Sequence, residues 1–350
     1  MQRSRIITRV LFFFFAVSIF AVYFFHHTRR FQFPPNAYCD DEQMSFVSYE
    51  NGAPSSVGSR FRCSLVPLLR SLGLSDAFHY PRMPYRLEDV VYVTYSSSNH
   101  FMEARASLSA LRQLTPNRII FYDLGLNASE LVELTAVCNV EIRRLNFDRY
   151  PPFTRRLKGY HFKPILIAEA FASLDAFWIM DTSVHFIGNG SAFYSKVSSG
   201  GLAPVALGHN TSHSIYAATH KSTYTYLPIG EELAKRRWML EATMFIQRSD
   251  FAREAVKWHL LCALSEECMS PKGAKLSCSF KEDRLKEFAN CHRYDQSAIN
   301  LIVTSLLGRD NPLSAGGNEA KDFINFTTVE RGRSEPGPLR IPCDERLSGL

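Results

Sequence analysis

Outside its N-terminus, the 350-residue chain lacks an excess of charge of either sign. Residues 1–30 contain five arginines and no acid, so they supply most of the net charge of +6. The rest of the chain has 35 of the 40 basic residues and all 34 acidic ones. A body without surplus positive charge gives no electrostatic reason to expect nucleic acid as a partner.

Two common motifs are also missing. No G-x-S-x-G segment occurs, which disfavours a secretory α/β hydrolase. No C-x-x-C pair occurs among the eight cysteines, so we favour disulfides over a zinc site. All eight follow the N-terminal apolar run, and an even number fits an oxidising compartment. We expect Cys39 and Cys63 to tie down the N-terminal segment and Cys138 to be free.

The one long apolar run covers residues 10–25 and approaches the ~20 residues that a membrane-spanning helix needs. Arginines flank both ends, with a slight excess on the N-terminal side, which predicts a cytoplasmic N-terminus. A cleaved signal peptide is the alternative, although no clear small-x-small cleavage site precedes Phe31. We predict a cytoplasmic tail (1–9), an uncleaved signal anchor (10–25) and a luminal body. This describes a single-pass type II protein of the Golgi or ER membrane.

Sequons support the same compartment, because N-glycosylation occurs on surface loops of secretory proteins. The predicted glycosylation sites are Asn127, Asn189, Asn210 and Asn325.

The order of apolar segments predicts an α/β fold. A stem and N-terminal wrap (26–85) precedes a domain at 86–307, and a C-terminal tail (308–350) packs on it. Strands separated by helices argue for parallel β/α units. The predicted strands are 89–95, 118–124, 140–147, 177–186, 202–207 and 238–247. The predicted helices are 101–114, 130–137, one that begins at Lys163, 250–264 and 294–307.

The strand predicted at 177–186 reads FWIMDTSVHF. A buried central strand that ends in an acid delivers a carboxylate to the ligand-binding edge of an α/β sheet. Because side chains alternate along a strand, Asp181, Ser183 and His185 are expected on one face. The alternative is that Asp181 caps a turn or pairs with an arginine.

Three further charged residues stand in informative positions. Lys163 opens an apolar helix, and a cation at a helix N-terminus makes an anion site; the alternative is a solvated charge run. Glu241 lies in an apolar strand, where burial would raise its pKa and suit it to general-base work; it could instead pair with Arg237. Asp295 is either a site residue or the N-cap of the last helix.

The segment Asp295-Gln296-Ser-Ala-Ile-Asn300 resembles the D-Q-x-x-[LI]-N motif of GT-A glycosyltransferases in the glycogenin-like clan. Residues 96–101 (SSSNHF), 160–169 (YHFKPILIAE) and the MDTS segment resemble an uncharacterised family of single-pass animal proteins near that clan. The resemblance covers about residues 88–307. It implies a GT-A-like, mostly parallel sheet flanked by helices, a nucleotide-sugar donor and a glycan or glycoprotein acceptor.

The resemblance also implies roles for individual residues. The loop with Ser97, Asn99 and His100 corresponds to the site for the donor base and ribose, and Lys163 to a contact with the donor diphosphate. Asp181 corresponds to the first acid of the D-x-D motif, which holds Mn²⁺ or Mg²⁺. The implied donor-binding set is Ser97, Asn99, His100, Lys163, Asp181, Ser183 and Gln296. The implied catalytic residues are Glu241, near the acceptor, and Asp295, in the sugar pocket.

One position departs from the motif, because Ser183 replaces the second acid. One carboxylate and one hydroxyl are a thin ligand set for a divalent metal. We expect His185 to join Asp181 as a ligand, and other histidines, His209, His213 or His220, are alternatives. A metal-independent site would instead use the basic side chains Lys163, Arg155, Arg156 and Lys158. Loss of catalysis would leave a GT-A-like membrane protein that binds a glycan or protein partner.

Overall fold

The computed structural model describes residues 35–82, 84–310 and 325–332, which contain a series of short and medium strands. In chain order they are β1 (Tyr38–Cys39), β2 (Glu42–Gln43), β3 (Val47–Glu50), β4 (Ala53–Val57), β5 (Val91–Ser96), β6 (Ile119–Asp123), β7 (Val140–Arg144), β8 (Ala176–Ile179), β9 (Val184–Phe186), β10 (Val205–Leu207), β11 (Asn210–Ser214), β12 (Trp238–Leu240), β13 (Met244–Gln247) and β14 (Thr327–Val329).

From β4 to β8, α-helices alternate with the strands. In chain order the α-helices are α1 (Val66–Ser71), α2 (Phe101–Arg112), α3 (Ala128–Thr135), α4 (Phe162–Phe171), α5 (Ser191–Ser198), α6 (Glu231–Arg236), α7 (Asp250–Ala263), α8 (Glu266–Met269) and α9 (Asp295–Asp310). Short 3-10 helices lie at Pro35–Ala37, Cys63–Leu65, Leu87–Asp89, Ser98–His100, Phe147–Arg149, Pro152–Arg155, Leu157–Gly159, Tyr216–Ala218 and Lys221–Thr225.

The predicted signal anchor (10–25) and cytoplasmic tail (1–9) lie outside the described residues. None of the helices within the described ranges is long and apolar enough to cross a bilayer.

A mixed sheet forms the centre of the described domain, in the order β10-β13-β8-β5-β6-β7. Strand β5 is parallel to β6 and to β8, and β6 is parallel to β7. At the other edge, β13 runs antiparallel to both β8 and β10. Parallel strands are apolar on both faces because helices cover both sides, and every residue of β5 and β6 is buried. The predicted α/β fold is therefore confirmed, with a mixed sheet.

Two apolar cores lie on opposite faces of this sheet. Side chains that alternate along β5 divide between them: Val93 packs in the core that contains α4, α7 and α9, and Tyr92 packs in the core that contains α2 and α5. Helix α4 is buried along nearly its whole length. The N-terminal segment belongs to the first core, since Phe46 and Phe61 pack against Trp258 on α7.

Disulfides hold two irregular regions. Cys39 pairs with Cys63, as the prediction that both are tied down requires. In the second half, Cys262 pairs with Cys268, and Cys278 with Cys291. The prediction that Cys138 is free was wrong, because this residue is disulfide-bonded.

Two predicted strands are each broken in the middle. The segment predicted as one strand at 177–186 forms β8, a turn and then β9, which leaves the main sheet and pairs with β14. The segment predicted at 238–247 forms β12, which pairs with β11, and β13, which joins the main sheet. Both breaks lie at polar residues inside apolar runs, and they place Asp181 and Glu241 in the connections instead of within strands.

Candidate functional site

The candidate site lies where β5 and β8 end side by side. Val93 pairs with Ile179 in the parallel register, so Tyr95 and Asp181 emerge from neighbouring strands at one edge. The Tyr95 hydroxyl donates a hydrogen bond to Oδ1 of Asp181. Asp181 itself follows the end of β8, and its side chain is 40% exposed. A carboxylate therefore stands at the carboxyl edge of the parallel strands, where ligands bind in α/β sheets.

Lys163 links this carboxylate to a second one. It lies in the first turn of α4, and its Nζ is 2.7 Å from Oδ1 of Asp181 and 3.4 Å from Oδ2 of Asp295. Only 9% of the lysine side chain is exposed. Burial lowers the pKa of Lys163, but the charges of Asp181 and Asp295 outweigh burial, so the net pKa lies well above its usual value. Lys163 therefore stays charged.

The pKa values of the two aspartates are shifted in opposite directions. Burial raises the pKa of Asp181, but the nearby Lys163 and the Tyr95 hydroxyl more than offset this, so its pKa is lowered. Asp295, at the start of α9, has a side chain only 5% exposed. Its pKa is raised, first by burial and then by the charge of Asp181, against the opposing charge of Lys163. One lysine thus contacts two carboxylates, one with a lowered pKa and one with a raised pKa.

Glu241 lies in the connection between β12 and β13. Burial raises its pKa to about 7, and the charge of Asp181 adds to this effect, while Arg331 and Lys163 act against it. Its Oε2 is buried and makes no hydrogen bond within the described part of the chain. A carboxyl with a pKa near neutral and a spare oxygen can accept or release a proton at physiological pH.

The D-Q-x-x-I-N segment positions the strand that precedes Glu241. Gln296 Nε2 and Asn300 Nδ2 both donate to the Leu240 carbonyl, at 3.0 and 2.8 Å. The Leu240 amide donates back to Asn300 Oδ1 at 2.8 Å. Gln296 is a predicted donor-binding residue, and the structure directs its amide nitrogen onto this backbone. Asn300 was not predicted, although its place in the motif was a usable signal.

Two tyrosines near Lys163 have left-handed backbones. Tyr160 has φ 55° and Tyr294 has φ 48°, and their ring centroids lie 5.5 Å apart. The ammonium of Lys163 lies 5.3 Å from the Tyr160 ring centroid. A non-glycine residue in the left-handed region carries about 1–3 kcal/mol of backbone strain, and such residues cluster at functional sites.

The predicted donor loop lies at the same sheet edge but makes local contacts. Ser97 Oγ donates to Asn99 Oδ1 at 2.6 Å, and His100 Nδ1 lies 3.1 Å from Glu103 Oε2. The same Glu103 oxygen accepts from the Thr182 hydroxyl. Glu103 therefore joins the loop after β5 to the turn after β8, a role that the sequence did not indicate.

Asp181, Ser183 and His185 do not lie on one continuous strand, so the prediction that strand alternation places them on one face was wrong. The Val184 amide donates to the Asp181 carbonyl, which closes a turn. Beyond it, His185 is buried in β9, in register with Thr328 of β14. The alternation rule fails because it holds only within one continuous strand.

The C-terminal segment 325–332 brings in a residue that was not predicted. The Glu330 amide donates to the Ser183 carbonyl, and the Gly332 amide donates to Glu103 Oε1. Arg331, between them, lowers the pKa of both Asp181 and Glu241 through its charge. No sequence signal connects a basic residue in a glycine-rich tail to these carboxylates.

The other basic residues of the predicted phosphate loop form surface ion pairs elsewhere. Arg155 pairs with Asp148, and Arg156 pairs with Glu266. Lys158 is exposed. Of this loop, only Lys163 reaches the carboxylate cluster formed by Asp181, Asp295 and Glu241.

A divalent metal fits these residues poorly. Oδ1 of Asp181 already contacts Lys163 and Tyr95, and His185 belongs to another sheet. The described ranges contain no group of three or more histidine, cysteine or acidic side chains arranged to hold an ion. Hard divalent cations need several oxygen ligands, so no step is assigned to Mn²⁺ or Mg²⁺. Of the alternative ligands, His209 donates to or accepts from the Thr327 hydroxyl at 2.7 Å, and His213 packs on Phe280.

The sequon asparagines share one property, which is exposure to solvent. They are Asn127, Asn189, Asn210 and Asn325. Asn127 also caps α3, since its side chain accepts from the Glu130 amide. Glycosylation of these residues stays a prediction.

Comparison with known proteins gives similarity without an assigned activity. A family described as a protein of unknown function, DUF1647, matches residues 39–168. No match was found among curated proteins.

Similar solved structures include glycosyltransferases at low identity. The galactosyltransferase LgtC, in complex with donor and acceptor sugar analogues, is 14% identical over 61% of this chain and 70% of its own, with a TM-score of 0.38. An active-site mutant of LgtC is 12% identical over 74% of this chain and 94% of its own, with a TM-score of 0.42. The bifunctional glycosyltransferase WbbM is 10% identical over 73% of this chain and 48% of its own, with a TM-score of 0.42. Similarities this weak do not assign an activity to this chain.

Proposed function

We propose that this protein is a glycosyltransferase of the secretory pathway, which transfers a sugar from a nucleotide-sugar donor to a glycan or protein acceptor. The observation that carries the proposal is the convergence of Lys163, Asp181, Asp295 and Glu241 at the carboxyl edge of the parallel strands. They come from four segments of the sequence, and the pKa of each is shifted. Burial raises the pKa values of Glu241 and Asp295, the charges of Asp181 and Asp295 raise that of Lys163, and the charge of Lys163 lowers that of Asp181. Shifted pKa values in such a cluster are typical of active sites.

Glu241 is the proposed general base. At pH values above about 7 its carboxylate is ionised and can take the proton of an acceptor hydroxyl. The acceptor oxygen then bonds to the anomeric carbon, the bond from that carbon to the diphosphate breaks, and the nucleoside diphosphate leaves with its electron pair. General-base assistance of this kind is worth about 10²–10⁴-fold in rate.

Positive charge is needed where the diphosphate leaves. Arg331 is exposed and makes no ion pair within 4 Å among the described residues, so its guanidinium is available for phosphate oxygens. Lys163 adds a second charge beside Asp181. We propose that these two residues, without a resident metal, stabilise the leaving group.

The test is a panel of nucleotide sugars added to the purified 350-residue chain, with and without Mn²⁺. We expect at least one donor to bind, Arg331→Gln to weaken that binding about tenfold or more because a charge-assisted contact to the diphosphate is lost, and Arg70→Gln, an exposed arginine outside the cluster, to leave it unchanged. Failure of every donor to bind would refute the proposal. Normal binding by Arg331→Gln would refute the assignment of the site.

A second candidate is a non-catalytic protein that binds a glycan or protein partner through the same fold. The observation in its favour is that Lys163 is already neutralised by two carboxylates, and buried ion networks of this kind also serve structure alone. Donor binding without turnover for any acceptor, together with unchanged binding in Glu241→Gln, would favour this candidate.

A further inference from the structure

A cavity whose lining residues differ from those of the carboxylate cluster has the features of a ligand site. Its volume is about 640 Å³, and it shares no lining residue with the cluster. Small-molecule sites have volumes of about 300–1,000 Å³ and combine apolar walls with a few polar groups. The cavity lies between the 3-10 helices Tyr216–Ala218 and Lys221–Thr225 on one side and the loop that carries the Cys278–Cys291 disulfide on the other.

Aromatic rings form part of the cavity wall. Tyr216, Tyr224 and Phe288 all line it. Phe288 is 39% exposed, so part of its ring is accessible. Rings of this kind pack against the apolar C–H faces of sugars and against other flat groups.

The charges at the cavity are unevenly paired. Lys235 lies against the Tyr216 ring and is neutralised by Glu231 at 2.6 Å and Glu232 at 3.2 Å. By contrast, Lys221 and Lys275 line the cavity, are exposed, and have no ion-pair partner among the residues that the structure describes. The only acid in the lining, Glu231, is therefore already used, and the cavity is left with two unpaired cations that favour an anion.

Two lining residues carry hydroxyls that already interact with each other. Thr219 is 2% exposed, and its hydroxyl interacts with that of Tyr224. The polar side chains of the lining that stay open to a ligand are therefore Lys221, Lys275 and Asn290, all of which are exposed.

We infer that this cavity binds an acidic saccharide of about disaccharide size. Its C–H faces would pack on Phe288 and Tyr216, its hydroxyls would meet the Asn290 side chain, and its carboxylate or sulfate would face Lys221 and Lys275. This goes beyond the proposed transfer reaction, since it adds a separate site and names the class of ligand.

The experiment is calorimetric titration of the purified 350-residue chain with three acidic disaccharides, which carry a uronate, a sulfate ester or a sialate. Each is compared with its neutral counterpart. We expect at least one acidic member to bind about tenfold or more tightly than its counterpart, a difference of about 1.4 kcal/mol. Lys221→Gln with Lys275→Gln, and separately Phe288→Ala, should each weaken that binding by a similar factor.

The matched control is Lys281→Gln with Lys286→Gln, which removes the same charge from exposed positions outside the cavity lining and should leave binding unchanged. Arg331→Gln, outside the cavity lining, should also leave it unchanged, so failure of the transferase proposal can be told apart from failure of this one. The inference is overturned if no acidic disaccharide binds, or if binding is insensitive to the lysine and Phe288 substitutions. It is also overturned if a nucleoside monophosphate binds more tightly than every disaccharide and is lost in the lysine variant.

Discussion

At Glu241, burial and neighbouring charges together set the pKa of the proposed general base. Burial and Asp181 raise its pKa, and Arg331 limits the rise. The sequence predicted the direction, because an acid between Leu240 and Ala242 stands in an apolar setting. It did not predict that the charge of Arg331 limits the rise, because Arg331 lies 90 positions away in the chain and belongs to no recognisable motif.

Removing the charge of Arg331 should raise the pKa of Glu241 further above its value of about 7. The reason is that a nearby positive charge favours the ionised carboxylate. Titration of the Glu241 side-chain ¹³C resonance in Arg331→Gln measures the change. Arg331→Lys keeps the charge and should retain most of the wild-type value. Identical titration curves in all three proteins would show that Arg331 does not act on Glu241.

The raised pKa also makes stability depend on pH. Since the folded pKa of Glu241 is above its usual 4.5, folding favours the protonated form, and this stability is lost as pH rises from about 4.5 to about 7. Glu241→Gln stays neutral, so it should gain roughly 1–3 kcal/mol relative to wild type between pH 4.5 and pH 8.5. Urea unfolding at the two pH values measures this. Parallel stability curves for the two proteins would contradict the shift.

At the scale of elements, the site depends on breaks in two apolar segments and on the added strand β14. The break after β8 releases Asp181 from the sheet, and the break after β12 releases Glu241. Hydrogen bonds from Asn300 and Gln296 fix the end of β12. Hydropathy predicts the apolar runs but not the breaks, because a turn of two or three polar residues resembles the solvent-facing positions of a continuous strand.

The backbone that follows β14 holds Arg331 in place, so disturbing this backbone should reproduce the loss of the arginine. Glu330→Pro removes the backbone N–H that donates to the Ser183 carbonyl. We expect it to raise the pKa of Glu241 in the same direction as Arg331→Gln, again by ¹³C titration. Glu330→Ala keeps the N–H and should behave as wild type. If Glu330→Ala raises the pKa equally, the effect comes from loss of the Glu330 side-chain contacts instead of from the backbone N–H.

At the scale of the whole described domain, a buried ion cluster joins the N-terminal segment to the body. Lys257 on α7 is fully buried and contacts Glu42 at 2.5 Å and Asp76 at 2.7 Å. Only 3% of the Glu42 side chain is exposed. These contacts span more than 180 positions, and no local pattern in the sequence predicted them.

Lys257→Met should destabilise the protein by about 3–5 kcal/mol, because it leaves a buried carboxylate without its partner. Chemical denaturation measures the free energy of unfolding. The double variant Lys257→Met with Glu42→Gln removes that uncompensated charge and should recover part of the loss. Equal stability of the single and double variants would show that the charge of Glu42 is not the cause.

The amino-acid sequence was sufficient for the α/β class, for most helix and strand positions, and for Lys163, Asp181, Glu241 and Asp295 as candidates. Apolar periodicity and the chemistry of single residues are local properties, so they can be read along the chain. The sequence was not sufficient to predict that two strands are split or that His185 belongs to another sheet. It also did not predict that Tyr95, Glu103 and Arg331 lie beside the candidate residues. Those features depend on strand order and register and on contacts between residues far apart in the chain, which are settled only when the segments pack together.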